Sequence, residues 1–167
     1  MRRRGSATLE FVLAGSFIFM PMLAGLATVG MTMVQANQVA SLNATAGQMI
    51  SSGVDFTQAE NVSILQKVAG TLQTSSTGTG AVIVSEVDYS TSNGYVCSNQ
   101  ITIPIAGGTG TSQYVPGGLV GSFASLMPGM TDGQVAYLAE TYYNNPQFAW
   151  ALAPSGTASG IYVKAVF

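Results

Sequence analysis

Residues 11–34 read FVLAGSFIFMPMLAGLATVGMTMV and contain no charge. A helix needs roughly 20 consecutive apolar residues to cross a hydrocarbon core, and this run is long enough. Arg2, Arg3 and Arg4 precede it, and no comparable basic cluster follows. The positive-inside bias then leaves the N-terminus in the cytoplasm and sends the rest outward, which in a bacterium means the periplasm or the cell surface. Only 7% of all residues are charged, in keeping with a membrane-attached chain.

Two ordinary readings fit this run. A basic start, an apolar stretch and small residues at 24–27 describe a secretory signal peptide, with Gly25-Leu26-Ala27 as the cleavage site. A plain signal anchor is the other. Glu10 sits awkwardly in both. A central acidic residue costs about 2.5–3.5 kcal/mol on insertion scales, less near a helix end, and intramembrane charges generally pair. The apolar run also continues well past Ala27.

The basic leader ends in Gly5, a Glu follows at the fifth position after it, and an apolar helix with Pro21 in its first half comes next. This pattern resembles the class III signal of type IV prepilins and pseudopilins. The more specific resemblance is to TadE/TadF-like pseudopilins of tight-adherence (Flp-type) pilus systems, carried by GSATLEFVLAG at 5–15 and VQANQVASLNATAG at 34–47. GQVAYLAETYYNNP at 133–146 adds weaker support through Glu140, Tyr143 and Pro146. The resemblance implies a cut by a prepilin peptidase between Gly5 and Ser6. It implies an assembly role for Glu10 and Phe11, with the Glu10 carboxylate pairing with the N-terminal amine of a neighbouring subunit. The chain departs from the family in two respects: the mature form begins with Ser6 where type IV pilins usually begin with Phe, and the family's Cys pairs are absent.

Beyond the span, VQANQVASLNATAGQMI continues as a helix with Val34, Gln38, Ser41 or Leu42, Thr45 and Met49 near one face, weakened by Gly47 and ended by Ser51-Ser52-Gly53. Thr57 and Glu60 have the spacing of a capping box. Val62, Leu65, Val68, Ala69 and Leu72 then predict an amphipathic helix at about 57–73, followed by the loop 73–80. Residues 81–90 and 95–105 read as strands around the hairpin signal Asn93-Gly94. After a glycine-rich loop at 106–118, residues 119–127 are ambiguous between strand and helix, and 133–143 and 160–167 are two more strands. The connection between those last two carries Trp150.

The expected fold class is α+β and pilin-like: a long N-terminal transmembrane helix, a second amphipathic helix and a small antiparallel β-sheet domain of about four strands. The expected divisions are a removed leader at 1–5, an assembly helix at 6–52 and an exported domain at 53–167.

The residue inventory points away from catalysis. There is no His and one Cys, so the commonest general base and metal ligand is missing and no internal disulfide can form. Cys97 reads as a buried small hydrophobe. Glu86 and Asp88 read as a solvated strand face. The glycines at 78–80 and 107–110 lack the Lys and the strand–helix context of a phosphate loop. No enzyme, cofactor or metal is expected. Beyond the leader, Lys67 and Lys164 are the only basic side chains against seven acidic residues, which excludes a nucleic-acid surface.

Two functional classes remain. One is a minor pilin or pseudopilin. Its partners would be the inner membrane, a prepilin peptidase, other pilins of the same system and the pilus assembly platform. Its exported domain would be periplasmic or carried into a surface pilus. The other is a single-pass anchored envelope domain that binds an extracellular ligand or partner without assembling.

Overall fold

A computed structural model describes residues 4–73, 78–112, 114, 123–145 and 160–167. The elements run α1 (Arg4–Ser51), α2 (Ala59–Ala69), a 3₁₀ turn (Gly70–Gln73), β1 (Thr79–Ser90), β2 (Gly94–Ile105), α3 (Phe123–Leu126), β3 (Val135–Asn144) and β4 (Gly160–Val166). The layout is α+β. The four strands form one antiparallel sheet in the order β2-β1-β3-β4. The chain divides into two compact units, Met1–Gln35 and Ala36–Phe167.

The first unit is the leading part of α1. The helix runs through Pro21 without a break, and its apolar side chains face outward: Phe11 is 80% exposed, Phe17 78% and Met20 72%. It is long and apolar enough to cross a membrane. Three of its hydroxyls are satisfied within the helix, Ser16 on Val12 O, Thr28 on Ala24 O and Thr32 on Thr28 O, each at 2.8 Å. Such bonds remove the cost of a bare hydroxyl in hydrocarbon.

The second unit packs around the sheet. One sheet face carries Val82, Val84, Ile103, Ile105 and Tyr143, and it buries Val39, Leu42 and Ala46 of α1 with Leu65 and Ala69 of α2. The buried stripe of α1 keeps Leu42, with Met49 packed against the core, from the expected face and departs from it elsewhere. Val34 and Ser41 are exposed, while Val39, Asn43 and Ala46 are buried. Asn43 is placed there by a partner distant in sequence: Thr141 Oγ1 of β3 donates to Asn43 Oδ1 at 2.9 Å. Periodicity alone gives polar Asn43 no reason to face a core.

The helix continues through Gly47 and ends at Ser51. Gly47 clears space for Phe167, since a Cβ there would lie 1.8 Å from the Phe167 ring. Phe167 is held there by backbone bonds to Tyr137 in both directions, at 2.9 and 3.0 Å. Two effects oppose each other at this site. Gly→Ala inside a helix gains about 1 kcal/mol in propensity, whereas overpacking costs about 1–3 kcal/mol. Gly47→Ala is expected to destabilise the wild-type chain and to stabilise a Phe167→Ala chain. Urea unfolding of the four members of this cycle checks it, and the same sign in both backgrounds would dismiss the ring seat.

The start of α2 also differs from expectation. Thr57 and Glu60 form no capping box. The N-cap is Gln58, without a side-chain cap bond. Thr57 instead gives its N–H and its hydroxyl to Asp55, both at 2.8 Å, and these two bonds hold the Asp55 carboxyl below its usual range. A nearer acceptor has taken the residue that a box requires. The helix is shorter than 57–73, ending at Ala69 with Gly70 at φ +52°. Leu72 is buried, yet Val68 is 47% exposed. In the β1–β2 hairpin Ser90 pairs with Gly94 and Gly94 sits at φ +71°, a left-handed position that favours glycine. Register shifts once, between Glu86 and Val87.

Candidate functional site

The residues singled out at the N-terminus all belong to α1 or lie just before it. Arg2 and Arg3 lie outside the described residues, as do Pro146 and Trp150. Arg4, Gly5 and Ser6 form the opening of the helix. Glu10 and Phe11 follow on its exposed surface, and Pro21 lies further along. The helix thus brings the expected cut, the carboxylate and the apolar run into one continuous element.

Within the second unit, the residue that chemistry singles out is Glu140. It sits in the middle of β3, paired across the sheet with Ile83 and Lys164, and its side chain is fully buried. Its side points away from the α1–α2 layer. A buried carboxylate survives only when its lone pairs are filled. Here three hydroxyls fill them. Tyr162 donates to Oε1 at 2.8 Å, Tyr142 to Oε1 at 3.1 Å, and Ser112 to Oε2.

Strand register makes this constellation. Tyr142 follows Glu140 by two residues on one strand, so both share a face. Tyr162 stands directly opposite Tyr142 on β4, with ring centroids 4.7 Å apart and planes tilted by 36°. Ser112 arrives from the loop after β2, where Gly110 lies against Ala81, Tyr142 and Ile83 with little room for a Cβ. Farther along the same face, Val87, Cys97, Tyr114, Phe123, Ala136 and Leu138 form a second core. Burial pushes the Cys97 thiol up, which suits a packed sulfur better than a reactive one.

Burial, and then the neighbouring Glu140 charge, push the Tyr142 phenol up to about 12. Tyr162 moves in the same direction for the same leading cause. A phenol whose folded value lies above its unfolded one, about 10, stabilises fully below pH 10 and loses that contribution as pH rises through the folded value. The melting temperature should hold level up to about pH 10 and fall between about 10 and 12. Tyr142→Phe should flatten that fall. Thermal melts of both chains across this range check it, and parallel curves would discharge Tyr142 from the effect.

A cleft of ≈ 480 Å³ opens beside this cluster, between the start of β1, the loop at 107–109 and the β3–β4 ends. Tyr142 and Tyr162 belong to its lining. Among the described residues no group of three or more His, Cys, Asp or Glu side chains is placed to hold a metal ion.

No family model, no curated protein and no solved structure matches this chain.

Proposed function

We propose that this chain is a minor pilin or pseudopilin of a tight-adherence type IV-like system, cut by a prepilin peptidase between Gly5 and Ser6. The observation that carries the reading is α1: one helix that opens at Arg4, passes Glu10 and then presents an uncharged, outward-facing apolar surface through residue 34. A segment of this kind suits lipid first and neighbouring helices afterwards. The α+β layout of the second unit supports the same reading. In this reading the inner membrane holds the uncut chain, with its N-terminus cytoplasmic, and the other subunits of the system and its assembly platform are its partners.

Cleavage decides between the readings. Mass spectrometry of the chain from its native host is expected to find an N-terminus at Ser6. A terminus at Met1 or Arg2 would make the chain an anchored envelope domain, and one at Thr28 would make α1 a signal peptide. Gly5→Leu is expected to leave the precursor uncut in the membrane, because a side chain is introduced where a tight peptidase site accepts a bare backbone. A Gly5→Leu chain that still begins at Ser6 would overturn the glycine-dependent cut.

A further inference from the structure

We propose that the cleft bounded by β1, β4 and the loop at 107–109 binds a neutral sugar ring, stacked on the aromatic wall made by Tyr142 and Tyr162. The inference does not depend on whether the chain assembles into a pilus. The volume, ≈ 480 Å³, falls in the range of small-ligand sites, about 300–1,000 Å³. The lining has a particular chemistry. Among the described residues no charged side chain belongs to it, and the polar groups they contribute are the neutral Thr79, Thr109 and Asn144 with the backbone of Gly107, Gly108 and Gly160.

The wall is fixed from behind. Tyr142 and Tyr162 both give their hydroxyls to Glu140, and that carboxylate is fully buried. Both phenol protons are therefore committed to Glu140, and what the tyrosines have left to offer is ring surface and the acceptor lone pairs of their oxygens. Tyr162 is 37% exposed. An aromatic surface beside neutral hydroxyls, an amide and glycine backbone matches a ligand with one C–H face and a rim of hydroxyls. An anion would find no cation in the lining and a buried negative charge behind the wall. Glu140 acts here as a positioning residue for both rings.

The full chain, in a detergent without a sugar headgroup, would be tested by saturation-transfer NMR against glucose, galactose, mannose and N-acetylglucosamine. Sialic acid serves as the anionic arm and choline as the cationic arm. At least one neutral sugar is expected to receive saturation at its ring C–H protons. Tyr162→Ala should weaken that binding by about tenfold or more, and Tyr162→Phe should retain it within about threefold, since stacking is carried by the ring face. Thr109→Trp, at an exposed loop position, should block the cleft without touching the core and abolish the signal. Circular dichroism would confirm that each variant is folded. Silence from all four neutral sugars would overturn the proposal. So would binding that survives both Tyr162→Ala and Thr109→Trp, or binding by choline or sialic acid alone.

Discussion

Glu10→Leu is expected to insert as well as the wild-type chain, to be cut at Gly5, and to be missing from the sheared pilus fraction. Insertion should not suffer, because the substitution removes a charge from the edge of an apolar helix. Cleavage should not suffer, because Gly5 and Ser6 are untouched. Assembly should, if the carboxylate meets the Ser6 amine of a neighbouring subunit. An uncompensated intramembrane charge costs about 2.5–3.5 kcal/mol at a helix centre and less near an end, so the effect on an association equilibrium reaches at most about a hundredfold or a few hundredfold. That is enough to make subunit addition selective for one axial register. A contact inside a single helix is the competing explanation, since mature residues one and five form an i,i+4 pair. Such pairs contribute only about 0.2–0.5 kcal/mol. Glu10→Gln should fall between the two, retaining an acceptor but losing the charge. Immunoblots of membrane and pilus fractions from the three strains supply the measurement, and equal incorporation of Glu10→Leu would leave Glu10 without a role in assembly.

Glu140→Ala should produce the largest loss of stability in the second unit. It removes the common acceptor of Ser112, Tyr142 and Tyr162 and opens a cavity between strands. Each buried hydroxyl left without a partner costs about 1–3 kcal/mol. Tyr162 is partly exposed and can turn to water, so the expected total is about 2–4 kcal/mol, a large share of the net stability of about 5–15 kcal/mol typical of a domain. Glu140→Gln keeps an oxygen for the two tyrosines and should cost less. Replacing the network together, Glu140→Leu with Ser112→Ala, Tyr142→Phe and Tyr162→Phe, should recover part of the loss, because none of the three hydroxyls is then left without its acceptor. Urea denaturation of the series tests this. A Glu140→Ala chain as stable as wild type would mean that the three hydroxyls find water as readily as they find the carboxylate.

The strands, the hairpin at Asn93-Gly94 and the long opening helix were legible because each rests on a local signal: alternation, a turn dipeptide, an uncharged run. What stayed illegible in α1 depends on partners remote in sequence. Gly47 reads as a weak point until Phe167 is beside it. Asn43 has no reason in the local pattern to be buried until Thr141 donates to it. The Thr57–Glu60 box failed for a local reason, an Asp55 that takes the Thr57 N–H a box would give to Glu60. Glu140 belonged to a recognised stretch, yet nothing in its neighbourhood announced three donors. Spacing offered Tyr142 alone, two residues on and on the same face. Tyr162 required the β3–β4 register, and Ser112 required the path of a glycine-rich loop.

The helix-to-sheet contacts also impose an order of events in time. Val39, Leu42 and Ala46 emerge early in synthesis, but the strands that cover them follow much later: Asn43 waits for a residue 98 positions downstream, and Gly47 waits for Phe167. Non-local closure of this kind is slow relative to helix formation. Until β3 and β4 are delivered, a finished helix shows a sticky stripe to whatever surrounds it. In the proposed topology, with the N-terminus held in the cytoplasm, this stripe would cross before its strands are made and spend its most vulnerable interval on the far side of a membrane, where a holdase that shields apolar helices would have the most to protect.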